Sequence, residues 1–195
     1  MKTTLPVCCS VLLIAGVAWG QEAMTLEQFN TLVAAPGDTN ALRPELASLP
    51  FWKAAQCSAT FRLPDGRVFT EESMATAKTI GGKYVVCSTQ SQFLKQDLRT
   101  VIGYDEKASA IKSWGIADGT LAVGTVVVYP EKRLAASSCA HGDYLEISVL
   151  TYSDTEAFSR MSVYKNGVLS LTRDVRLQPM KVKPDGATNR ASPRR

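Results

Sequence analysis

The chain is poor in the residues that usually announce a reaction centre. It has one histidine, His141, in 195 residues, and its five cysteines include no CxxC pair. Zinc cages need four Cys or His ligands at regular spacings, so no metal site is expected. There is no Gly-rich phosphate loop, no GxSxG elbow and no HExxH helix. The longest apolar stretch, Val7 to Val17, is too short to span a bilayer, which takes about 20 apolar residues. Aromatics make up only 8% of the chain. None occurs in the basic C-terminal segment, which excludes a base-stacking surface there and with it a nucleic-acid partner.

What is present begins with a leader. Lys2 precedes the apolar stretch, and Ala18-Trp19-Gly20 places small residues where signal peptidase reads, so residues 1–20 are expected to be a secretory signal cleaved before Gln21. The mature protein is then expected to be soluble, periplasmic or secreted. Cleavage removes Cys8 and Cys9 and leaves Cys57, Cys87 and Cys139, an odd number in an oxidising compartment. In a simple meander these three sit on non-adjacent strands, beyond the roughly 7 Å that a disulfide tolerates between Cα atoms, so buried free thiols are expected. The net charge of +4 is a property of the C-terminus. Residues 173–195 hold seven Lys/Arg against two Asp, and Gln21 to Thr172 is left at −2 once Lys2 is set aside. Residues 179–195 lack periodicity and read as a disordered basic tail, with at most weak contact to an anionic surface.

Residues 21–50 read as a helical lead-in. Thr25-Leu26-Glu27-Gln28 forms a capping-box pattern at the head of a helix ending near Ala34, and Ala41 to Leu49 supports a further turn or two before Pro50. From residue 51 to 178 the period is two. Pro64-Asp65-Gly66, Gly81-Gly82, Asp118-Gly119, His141-Gly142-Asp143 and Asn166-Gly167 punctuate it at hairpin spacing. Ten short strands are predicted, near 53–63, 67–80, 83–93, 98–104, 110–117, 120–130, 133–141, 143–153, 157–165 and 168–178. An open meander of that length would expose two edges and an apolar face. Closure removes both, so the expected fold is all-β, an up-and-down antiparallel barrel. Parity puts Cys57, Ala59, Phe61 and Leu63 on one inward face, with Leu121, Val123 and Val127, and Leu145, Ile147 and Val149, expected to line up likewise. On the last strand the row reads Leu169, Leu171, Arg173, Val175, Leu177, with one charge among apolar neighbours.

Gly81-Gly82-Lys83-Tyr84-Val85-Val86, Val101-Ile102-Gly103-Tyr104-Asp105 with Trp114 and Asp118, and Val163-Tyr164-Lys165-Asn166-Gly167 with Leu171-Thr172-Arg173 resemble a bacterial lipocalin-like family of exported domains of unknown function. The resemblance covers roughly Leu42 to Leu177. It implies a calycin-type barrel with a cavity for a small, mostly apolar ligand, and no reaction. The chain departs from the pattern at Leu49-Pro50-Phe51-Trp52, where Pro50 replaces the Gly of the usual Gly-x-Trp. By strict parity Trp52 lies opposite Cys57 and reaches the interior only through a bulge near Ala54-Ala55.

Arg173 is the leading candidate, because an inward guanidinium keeps its proton and needs compensation. In one reading it stacks on Trp52 and plugs a barrel end. In the other it anchors the head group of an acidic ligand, with Trp114, Tyr104 and Tyr84 as aromatic contacts. Those aromatics equally suit a packed core. Cys139 and His141 share a strand face, which invites a thiol–imidazole dyad or a haem ligand, but residues two apart on a strand are poorly aimed at each other. Glu146, sharing a face with Tyr144 and Tyr152, is the one suggestive acid–base cluster.

The expected function is therefore a monomeric exported barrel that binds or carries a small hydrophobic or amphipathic molecule without catalysis or cofactor. The alternatives are a solid-core scaffold or partner-binding module of the envelope, and a small hydrolase or isomerase.

Overall fold

The computed structural model describes residues 24–117 and 119–180. The signal-like leader, Asp118 and the tail from residue 181 onward lie outside the described residues. Two helices, α1 (Leu26–Ala34) and α2 (Pro44–Ala47), precede ten strands: β1 (Ala54–Arg62), β2 (Val68–Ile80), β3 (Tyr84–Ser91), β4 (Gln96–Asp105), β5 (Ala110–Ala117), β6 (Thr120–Tyr129), β7 (Leu134–His141), β8 (Tyr144–Tyr152), β9 (Ala157–Lys165) and β10 (Val168–Pro179). Each strand pairs antiparallel with its sequence neighbours, and β1 pairs with β10. The predicted ten-stranded up-and-down barrel is the observed fold. Among the described residues, no helix is long and apolar enough to cross a membrane.

Local chemistry sets the elements. The capping box forms: Thr25 Oγ1 accepts from Gln28 N–H at 3.1 Å, and Gln28 Oε1 accepts from Thr25 N–H at 2.8 Å. Asn166 and Gly167 both take positive φ, at 50° and 76°, the backbone that a two-residue hairpin needs to follow the strand twist.

One row of cross-strand partners shows which face is concave. Phe61, Arg173, Met161, Ser148, Ser137, Val126, Ile111 and Tyr104 stand opposite one another in succession from β1 through β10 round to β4. From that row Ile111, Val126 and Tyr104, joined by Ala135 of β7 and Leu150 of β8, converge on Leu46 and Leu49. Only the inside of a closed sheet brings five strands onto one cluster, so the α2 segment is a plug in the barrel floor. Leu46 is fully buried there, a gain of about 1.5–3 kcal/mol.

Helix α1 instead lies outside. Its Phe29 packs on Val86, Val101 and Trp114, which have the opposite parity. Lys78 of β2 fastens the helix end, donating from Nζ to the carbonyls of Val33 at 2.7 Å and Ala35 at 2.5 Å, acceptors that the last turn leaves free.

The inward rows expected on β6 and β8 are reversed. Leu121, Val123 and Val127, and Leu145, Ile147 and Val149, face outward, because Val126, Val128 and Leu150 of the other parity pack on the floor plug. Both faces of these strands are apolar at the floor end, so alternation alone does not choose the concave one. On β10 the inward row runs from Leu171 to Leu177, but a register shift between Leu169 and Leu171 turns Leu169 out. The bulge near Ala54-Ala55 that would bring Trp52 inward does not form: β1 pairs in unbroken register with both neighbours.

Candidate functional site

With the floor closed by α2, the barrel opens at the other end, where the β1–β2, β3–β4, β7–β8 and β9–β10 turns lie. The wall above the plug is built of small and polar residues, including Ala59, Ser73, Thr89, Ser137 and Ser148. Ser137 and Ser148 share a hydrogen bond of 2.8 Å across β7 and β8. Such short side chains cannot fill a ten-stranded interior.

Glu146 shows that water reaches the concave face near the mouth. Its register partners are Cys139 and Val163, which puts it on the inward face, yet the residue is solvent-exposed. Only a lumen open to water reconciles the two. Enclosure by the wall nevertheless pushes its carboxyl above the usual range, and the positive charge of Arg173 partly offsets this.

Arg173 stands directly across from Phe61, its guanidinium 5.3 Å from the ring centroid. Its Nε is buried with no hydrogen-bond partner. Burial works against its charge, while Cys57, Glu71 and Glu146 work in its favour. The two glutamates flank it, each two strands away and two residues off its register row, which places their Cα atoms about 12 Å from its own. Glu71 has a further task. Its Oε2 accepts from the Phe93 N–H at 2.9 Å, holding the β3–β4 turn so that Phe93 stacks on Phe61 and Phe69, with centroids 4.5 and 4.7 Å away. This aromatic trio shuts one side of the mouth.

A groove of about 800 Å³ lies where β2 and β3 part. The two strands pair only from Ala75 opposite Thr89 to Ile80 opposite Tyr84, and beyond that point they diverge. The groove is on the convex side, lined by Asn30 and Val33 of α1 and by outward-facing Glu72, Met74, Ser88 and Gln90, and at its base inward-facing Ser73 and Thr89 join hydroxyls at 3.2 Å.

The other sequence candidates are dispersed. Trp114 and Tyr84 are on the convex side beneath α1, edge to face at 6.4 Å. Tyr104 is inward but lies at the floor, with the Arg43 guanidinium 4.8 Å from its ring. Trp52 precedes β1 at the floor end, whereas Arg173 is level with Phe61, about 23 Å further along that strand. The stack expected between them is replaced by Arg173 over Phe61. Tyr144 is at the mouth, under the Lys165 ammonium at 4.9 Å, and Tyr152 is six residues past Glu146, about 20 Å away, so the three form no acid–base cluster.

Cys57, Cys87 and Cys139 all face inward and are free. Burial pushes the Cys87 thiol up to about 12, and burial together with Glu146 raises that of Cys139, so neither is an activated nucleophile. His141 bonds through Nε2 to Thr120 Oγ1 at 2.7 Å. Among the described residues no group of three or more His, Cys, Asp or Glu is arranged to hold a metal ion.

Nothing adjacent to Glu71 in the sequence marks it as a site residue, because its inward position depends on register and not on neighbouring residues. No protein-family model matches the chain, and no curated protein matches it at a significant level.

Proposed function

We propose that this protein is an exported, monomeric lipocalin-like carrier that takes a small amphipathic molecule into the barrel lumen and does no chemistry on it. The signal-like leader supports export. The observation that carries the reading is the pairing of a water-reached inward carboxylate, Glu146, with a half-buried inward guanidinium, Arg173, whose enclosed Nε lacks an acceptor. A cavity with an apolar floor and a few converging polar groups is the usual form of a small-molecule site.

Native mass spectrometry of protein purified from its own host tests this. A bound small molecule is expected as a discrete added mass, lost on unfolding. A bare polypeptide mass, combined with failure to take up an environment-sensitive acyl probe, would remove the carrier reading.

A second reading, a partner-binding module of the envelope, has its own support. Val123, Val127, Ile147, Val149 and Phe158 lie 38–48% exposed on the outer face of β6, β8 and β9. An apolar band of that kind is more usual at an interface than on a free surface. Sedimentation over a range of concentrations separates the two, since a monomer throughout agrees with the carrier and self-association with the module.

A further inference from the structure

We infer that the lumen is built for a neutral amphiphile whose head group offers both a hydrogen-bond acceptor and a donor, as an amide does, and not for a carboxylate. The inference rests on the carrier reading above and names its ligand class.

Three observations lead to it. The first is the unmet donor. Arg173 Nε–H is enclosed without an acceptor, and the residue as a whole is only half-buried, so its terminal N–H groups are the donors left for something outside the chain to meet. A carbonyl oxygen meets that need as well as a carboxylate does.

The second is charge. Among the described strand residues, those that are charged and face inward near the mouth by register are Glu71 of β2, Glu146 of β8, Lys165 of β9 and Arg173 of β10. By formal charge the two cations match the two carboxylates, and Arg173 is the one that acts on Glu146. Lys165 is at the rim, over the Tyr144 ring, and Arg173 is the deeper of the pair. An incoming carboxylate would add an uncompensated negative charge beside Glu71 and Glu146 in an enclosed space, where like charges are costly. A neutral head group adds none. Its N–H also finds an acceptor in Glu146, whose carboxylate is open to the lumen.

The third is polarity along the axis. Arg173 and Glu146 are nearer the mouth, while Leu46, Leu49, Val128 and Leu150 form the floor. From Glu146 to the level of Leu150 the strand descends four residues, roughly 10 Å of axial depth in a tilted barrel. A head group at Arg173 and Glu146 thus leaves space below it for a short acyl tail among apolar side chains.

The test uses the mature protein with the neutral probe N-phenyl-1-naphthylamine in the lumen, displaced at pH 8 by octanamide or octanoate. Octanamide is expected to displace it at a concentration at least tenfold lower than octanoate. Arg173→Met is expected to weaken octanamide fivefold or more, and Glu146→Gln to narrow the gap by admitting octanoate more readily. Octanoate matching or exceeding octanamide on the wild-type protein would overturn the inference while leaving the carrier reading intact. So would an unchanged octanamide midpoint in Arg173→Met, with its fold checked by circular dichroism. If the wild-type protein takes up no probe, the carrier reading fails and the inference fails with it.

Discussion

Arg173 and Phe61 are direct cross-strand partners on the concave face of the barrel, with the guanidinium 5.3 Å from the ring centroid and one of its nitrogens lacking any hydrogen bond. The ring compensates the charge only in part. Arg173→Met keeps much of the volume and removes an unsatisfied buried donor, so unfolding free energy in urea is expected to stay level or rise by about 1 kcal/mol. Phe61→Ala, which opens a cavity under Phe93, is expected to cost about 3–5 kcal/mol. A large loss in Arg173→Met would show that the arginine serves the fold and not a ligand.

Helix α1 is held to the convex wall by Phe29, which is only 2% exposed. Phe29→Ala is expected to lower stability by about 3–5 kcal/mol and to red-shift tryptophan emission as Trp114 gains water. Lys78→Met removes the donor to the carbonyls of Val33 and Ala35 and is expected to cost about 1–2 kcal/mol. Chemical denaturation followed by fluorescence reads both.

On the outer surface Asp174 accepts from Arg160 at 2.7 and 3.1 Å and from Arg62 at 2.5 Å. Arg160 first, then Arg62, holds its carboxyl below the ordinary value of 3.8. A depressed folded pKa means that the stabilisation is complete above the unfolded value, near pH 4, and is lost as pH falls through the folded one. Both arginines are about half exposed, so solvent screening limits the effect to about 1 kcal/mol or less. Asp174→Asn is expected to be the weaker protein at pH 7, with the difference closing as the pH falls below the ordinary carboxylate value. Melting temperatures across pH 2–7 check this, and a gap that widens toward acid would contradict it.

The thiols of Cys57 and Cys87 should resist alkylation. Cys57 is 1% exposed, and Cys87 is pushed up to about 12. At pH 8 iodoacetamide is expected to leave both unmodified for hours in the native state and to add three groups to the mature chain after unfolding. Rapid native labelling of Cys87 would mean that the wall between β2 and β4 opens far more readily than its pairing suggests.

The strand boundaries were legible because each depends on short-range chemistry. Gly81-Gly82 and Asn166-Gly167 take the positive φ values that hairpins require, and Thr25 with Gln28 caps α1 as their spacing indicates. The inward position of Arg173 followed from counting residues along a single strand. The position of Trp114 did not follow in that way. It is an aromatic in a barrel strand, and nothing adjacent to it says that α1 will cover it from outside.

Alternation in the sequence by itself determined the number of strands, their antiparallel order and the division of each into two faces, since these rest on the two-residue repeat of an extended backbone and on turn residues close in the chain. Only the tertiary structure decided which face became the lumen. That choice depends on where α2 enters and where α1 settles, contacts between segments distant in sequence. They turned Val123 and Ile147 outward, and they left Arg173, Glu71 and Glu146 together on the concave face.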